Sequence, residues 1–196
     1  MYYTYSNKGQ KIALWSTALI AIGLLFLSGC AQQQHFIRDG TDLEHIRSIA
    51  VLPFENFTRD DFAGEKIRRI VITELLTRGV DVTEPGEVTR LLREINVMSL
   101  RSIKTKEIQK IGETLGVDAV MSGSVEAFGI SKGINVTYPE VTINLMLLET
   151  GSGNIIWSVR ESTGGASFWT RHFSAEGIPL SDAARKTVKK AIDTMY

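Results

Sequence analysis

The chain is 196 residues long and carries 22 basic and 22 acidic side chains. That balance gives no electrostatic case for binding nucleic acid. The length suits one domain with a substantial core, and a single cysteine excludes an intrachain disulfide, so packing must supply the stability.

Lys8 and Lys11 precede an apolar run over residues 12–26 that only Ser16, Thr17 and Gly23 interrupt. A basic stretch, an apolar stretch and small residues before a cut describe a secretory signal peptide over residues 1–29. As a membrane span the run is short of the roughly 20 apolar residues required. Removing it deletes two lysines and no acid, which leaves 20 basic against 22 acidic residues. Leu27-Ser28-Gly29-Cys30 closes the leader and resembles a bacterial lipobox. The resemblance implies cleavage between Gly29 and Cys30, then a diacylglyceryl thioether and a fatty-acylated amino group on Cys30, with no other cofactor. Ala31 stands where an Asp favours inner-membrane retention in enterobacteria, so the resemblance implies an outer-membrane anchor with the domain facing the periplasm. Residues 30–46 are expected to be the lipidated cysteine and a polar, irregular tether, reaching about 55 Å at full stretch.

A single domain is expected over residues 47–196. Residues 48–54 form an apolar run around Pro53, which fits a buried strand. Ala63, Ile67, Ile70, Val71 and Leu75 recur at helical spacing over 62–78, and Gly79 follows as a terminator. Residues 80–83 read as a short strand. Pro85 opens a second helix with Val88, Leu91, Leu92 and Ile95 on one face. A third helix runs from Thr105 as its cap, through Ile108, Ile111 and Leu115, to Gly116. The period then changes to two. Residues 118–128 and 140–149 alternate, and the turn 150–153 leads to Ile155, Trp157 and Val159 on a further strand. Ser181 caps a last helix that turns Ala184, Val188, Ala191, Ile192 and Met195 inward. The order β-α-β-α-α-β-β-β-α predicts an α/β (α+β) domain with one mixed sheet covered by helices.

No enzyme signature emerges. His35, His45 and His172 lack metal-ligand spacing. Asp60-Asp61 reads as a helix cap. Gly151-Ser152-Gly153 lacks a following Gly-Lys and reads as a hairpin turn. No serine lies in a G-x-S-x-G elbow. Three features suggest contacts instead. Phe168, Trp169 and Phe173 cluster after Gly164-Gly165, as a partner-binding patch, a lipid-dipping loop or a cover for the edge of the core. Residues 129–139 are expected to be a loop, either a contact site or a plain connection. Arg185, Lys186, Lys189 and Lys190 make the last helix basic, for anionic lipid, for a partner or simply for water.

Ile49-Ala50-Val51-Leu52-Pro53-Phe54 before a helix resembles the opening strand of the CsgG family, lipoproteins of curli export. Residues 112–125, with Leu115-Gly116 and Asp118, resemble that family's helix–strand passage. Residues 141–157 resemble its paired strands joined at Thr150-Gly151. The same scaffold belongs to the amino-terminal domain of TolB and to LpoB-type activators of penicillin-binding proteins. The resemblance implies a non-enzymatic outer-membrane lipoprotein, an accessory or scaffold subunit in secretion or envelope assembly, with a protein partner and a homo-oligomeric state. Two alternatives follow from the same resemblance: a regulator of a peptidoglycan synthase, and a subunit of an export pore. A pore hairpin needs about 9–11 residues per strand, which residues 129–139 do not hold as a loop.

Overall fold

The computed structural model describes residues 34–97, 99–132, 137–164 and 178–196. Its strands are β1 (Gln34–Ile37), β2 (Ser48–Val51), β3 (Glu55–Asn56), β4 (Asp81–Val82), β5 (Ala119–Lys132), β6 (Thr137–Glu149) and β7 (Ile155–Thr163). Its helices are α1 (Ala63–Thr77), α2 (Pro85–Glu94), α3 (Thr105–Leu115) and α4 (Leu180–Asp193). They form one mixed sheet in the order β1-β7-β6-β5-β2-β4, with β3 beside β5. β2 runs parallel to β4 and β5, whereas β5, β6, β7 and β1 are antiparallel neighbours.

Periodicity decides which helix covers which face. Ala119, Met121 and Val125 of β5 share a face with Val141, Ile143, Leu145 and Leu147 of β6, and α1 and α4 pack on it through Ile67, Val71, Leu75, Val188 and Ile192. The opposite face of β2 and β5 presents Ala50, Leu52 and Val120 to Val88, Leu91 and Leu92 of α2 and to Ile108 and Ile111 of α3. Burial of these side chains contributes roughly 1.5–3 kcal/mol each. Helix ends follow the sequence signals with small shifts. Gly116 takes φ +65° and closes α3 as a left-handed cap, a conformation that suits glycine.

Several expectations need correcting. Residues 34–37, expected within the tether, are an edge strand pairing antiparallel with β7, His35 against Val159 and Ile37 against Trp157. Thr105 is the first residue of α3, not its cap; Lys104 holds that position, and its N–H donates to Glu107 Oε2 at 2.7 Å. Pro179, not Ser181, precedes α4. Ile155 begins β7 as expected, and a register shift between Leu147 and Leu148 leaves it 36% exposed and buries Ile156.

Residues 129–139 are largely strand. Gly129 pairs with Glu140, Ile130 with Pro139, Ser131 with Tyr138 and Lys132 with Thr137. The hairpin outruns β7, which stops at Thr163 opposite Val141. Among the described residues four pairs stand beyond the end of β7, fewer than the roughly 9–11 residues per strand that cross a bilayer.

Candidate functional site

The residues that most resemble a functional signature turn out to hold the fold. Asp118 Oδ2 accepts the N–H groups of Arg47 and Ser48 and the Ser48 hydroxyl, each at 2.9 Å. Burial raises the Asp118 pKa, but the hydrogen bonds from Arg47 and Ser48 outweigh it and hold the carboxyl below its ordinary value. Thr150 Oγ1 donates to the carbonyls of Val117 and Asp118 at 2.8 Å. Gly112 leaves room for that threonine, since a Cβ there would lie 2.3 Å from Thr150 Cβ. The "LG-x-D" and "TG" segments are therefore one joint, fastening α3, β2, β5 and the β6–β7 turn at one end of the sheet.

Sequence reasoning overlooked Arg68, the one buried cation among the described residues, 4% exposed. Its Nε and Nη2 donate to Val51 O at 3.1 and 2.6 Å, where β2 leaves the sheet. Burial lowers its pKa, and Glu65 at 3.7 Å opposes that shift. A single arginine inside a helical pattern carries no local sign of such a role. Asp60-Asp61, expected to cap α1, does not: Phe62 holds the cap position without a side-chain cap bond, and Asp60 accepts from the Phe62 N–H at 3.0 Å and pairs with Lys66 at 2.6 Å just ahead of the helix. The Lys66 hydrogen bond, then that from Phe62, lowers the Asp60 pKa.

Cys30, Gly29, Phe168, Trp169, Phe173 and His172 lie outside the described residues. His35 is exposed on β1, and His45 sits 2.6 Å from Asp42. Among the described residues no group of three His, Cys, Asp or Glu could hold a metal ion. None of their helices is long and apolar enough to cross a membrane.

The basic face of α4 lines an open groove of about 560 Å³ against α1, with Arg69, Ile70, Thr73, Arg185, Lys186 and Lys189 along it. Its cations are largely answered on their own helices: Arg69 by Glu65 at 3.0 Å, Arg185 by Asp182 at 3.2 Å and Lys189 by Asp193 at 3.8 Å. Lys190 reaches Glu161 at 3.5 Å. Such exposed pairs leave little field to attract an anion.

Comparison with solved structures bears on the scaffold. The fold is that of PelC from Paraburkholderia phytofirmans, a dodecamer, with a TM-score of 0.57 and 18% identity, over 83% of this chain and 96% of that one. A PelC variant aligns equally well, at 0.57 and 19% identity over 84% and 98%. Lipoprotein GNA1162 from Neisseria meningitidis scores 0.48 at 22% identity, over 62% of this chain and 83% of its own. No family profile matches the sequence, and no curated protein does. What is shared with PelC is an architecture, and it does not show membership of the CsgG family.

Proposed function

We propose that this chain is a lipid-anchored, non-enzymatic accessory subunit of the bacterial cell envelope that works as an assembly of its own α/β domains. The observation that carries the reading is the likeness to PelC, which takes in 96% of a chain known as a dodecamer. The lipobox-like Leu27-Ser28-Gly29-Cys30 supports the anchor, and Ala31 supports the outer membrane. The free edge of β1 and the open groove between α1 and α4 supply surfaces that neighbouring copies can use. Phe168, Trp169 and Phe173 remain the aromatic contact patch we propose from sequence, for a copy or an envelope protein. Membrane tethering raises the local concentration of domains, so modest contacts suffice for assembly.

The test has two arms. Growth with an alkynyl fatty acid should label the wild-type chain and leave Cys30→Ser unlabelled; equal labelling of both defeats the anchor. Mass photometry of the detergent-extracted chain should give a multiple of the protomer mass, and Trp169→Ala should shift it towards the protomer with no change in melting temperature. A wild-type protein that stays a protomer, and captures nothing on crosslinking in intact cells, defeats the assembly.

A further inference from the structure

Nine large apolar side chains are more than a third exposed among the described residues, and four of them gather at one end of the sheet. Ile130, 59% exposed, lies on the free β5–β6 hairpin. Phe57 is 51% exposed, and its N–H donates to Val125 O at 2.9 Å beside the start of that hairpin. Phe62, 69% exposed, precedes α1, whose Lys66 lies 5.4 Å from the centroid of the Phe128 ring. Ile178, 44% exposed, sits just ahead of α4. The direction of α4 puts Ile178 towards the same end, because its other terminus is tied near the β6–β7 turn by Trp157 Nε1 donating to Thr194 Oγ1 at 3.0 Å. The remaining five, Phe36 and Ile37 on β1 and Leu76, Ile155 and Tyr196 elsewhere, do not join this group.

The amino end of β1 faces that same end. β1 is antiparallel to β7, with Gln34 opposite Arg160 and Ile37 opposite Trp157. Read from Ile37 back to Gln34, β1 heads the way β7 heads, towards Thr163 and the free hairpin. Cys30 is four residues from Gln34 in sequence, and four residues span at most about 14 Å. The strand that replaced the expected tether thus leaves a very short leash.

We propose that Phe57, Phe62, Ile130 and Ile178 form a bilayer-docking end, which seats in the lipid interface beside the acylated Cys30. This rests on the anchor proposed above. Lys66 is paired with Asp60 at 2.6 Å, and Arg59 and Lys132 are accompanied in sequence by Asp61 and Glu140, so no block of like charge marks this end. Apolar insertion carries the contact, and salt does not disrupt it. The short leash holds the patch at the surface, so four side chains suffice where a free domain would need more.

The experiment uses the full lipidated chain reconstituted in phosphatidylcholine–phosphatidylglycerol vesicles containing brominated lipid. Cys30 is blocked by its thioether, so a fluorophore goes to an introduced thiol, Ile130→Cys at the proposed end or Ser152→Cys in the β6–β7 turn at the other. Quenching should be several-fold stronger at position 130, unchanged at 0.5 M salt, and should fall towards the position-152 level when Phe57→Ser and Phe62→Ser are added. A melting transition close to that of the parent shows that the doubly substituted protein is folded. Equal quenching at the two positions, with the protein still floating with the vesicles, overturns the docking end and leaves the anchor standing. Failure to float overturns the anchor and the docking end together.

Discussion

Asp118 and Ser48 lock onto one another from both sides. The Asp118 carboxylate accepts the Ser48 N–H and hydroxyl, while the Asp118 N–H donates to Ser48 Oγ and Ser48 O, both at 3.1 Å. Seventy residues separate them, so the pair clamps the start of β5 to the start of β2.

Asp118→Asn should lower unfolding free energy by about 1–2 kcal/mol, because an amide in that place loses acceptor strength and one lone-pair arrangement. The folded carboxyl titrates below its unfolded value. Its stabilisation is therefore complete above roughly pH 4 and is lost as the pH falls through the lower, folded pKa. Urea unfolding between pH 2.5 and 7 should show a shallower acid slope for the variant than for the wild type.

Gly112→Ala should destabilise by about 1–3 kcal/mol despite the better helix propensity of alanine, because the methyl would overlap Thr150. The threonine cannot retreat without giving up its bonds to Val117 O and Asp118 O. Combining Gly112→Ala with Thr150→Gly should cost less than the sum of the two single changes, and a double-mutant cycle read by thermal melting measures the difference.

Arg68→Met should cost about 1–3 kcal/mol, since Val51 O would be left buried without its two donors. The neighbouring Arg69→Met removes only a surface pair with Glu65, on a side chain 77% exposed, and should stay within about 0.5 kcal/mol. Chemical denaturation of the two variants side by side checks the contrast.

Thr194→Val should cost about 1 kcal/mol, as the Trp157 indole N–H loses its acceptor in a fully buried site. The emission maximum should barely move, because the ring itself stays packed. A large red shift would mean that the end of α4 has come away.

What was legible in the chain follows burial. α1 to α4 and the middles of β5, β6 and β7 each press one face into the core, so Ile67, Leu91, Ile111, Val125, Leu145 and Val188 recur at a period that betrays them. Where a strand leaves the helices, that signal stops. β1 offers only Gln34–Ile37, with Phe36 and Ile37 both exposed, and the hairpin beyond Phe128 has no core on which to alternate. β3 is two residues long and is defined by its partner, not its composition. The burial of Ile156 beside Trp157 is not readable from alternation, because a bulge between Leu147 and Leu148 shifts the period by one residue. The Asp118–Ser48–Thr150 joint was visible only as a resemblance, since residues so far apart in sequence carry no spacing from which contact can be derived.

The pairing of β1 with β7 sets an order of events. β1 is the first strand to be made, yet its partner positions Trp157 to Arg160 come more than a hundred residues later. Bringing such distant segments together is slow compared with closing a local hairpin. A chain emerging from its amino end therefore carries β1 as an unpaired strand until nearly all the domain has followed. Through that interval it is open to pairing with the wrong edge. Closing β1 onto β7 joins the first and the last of the described strands.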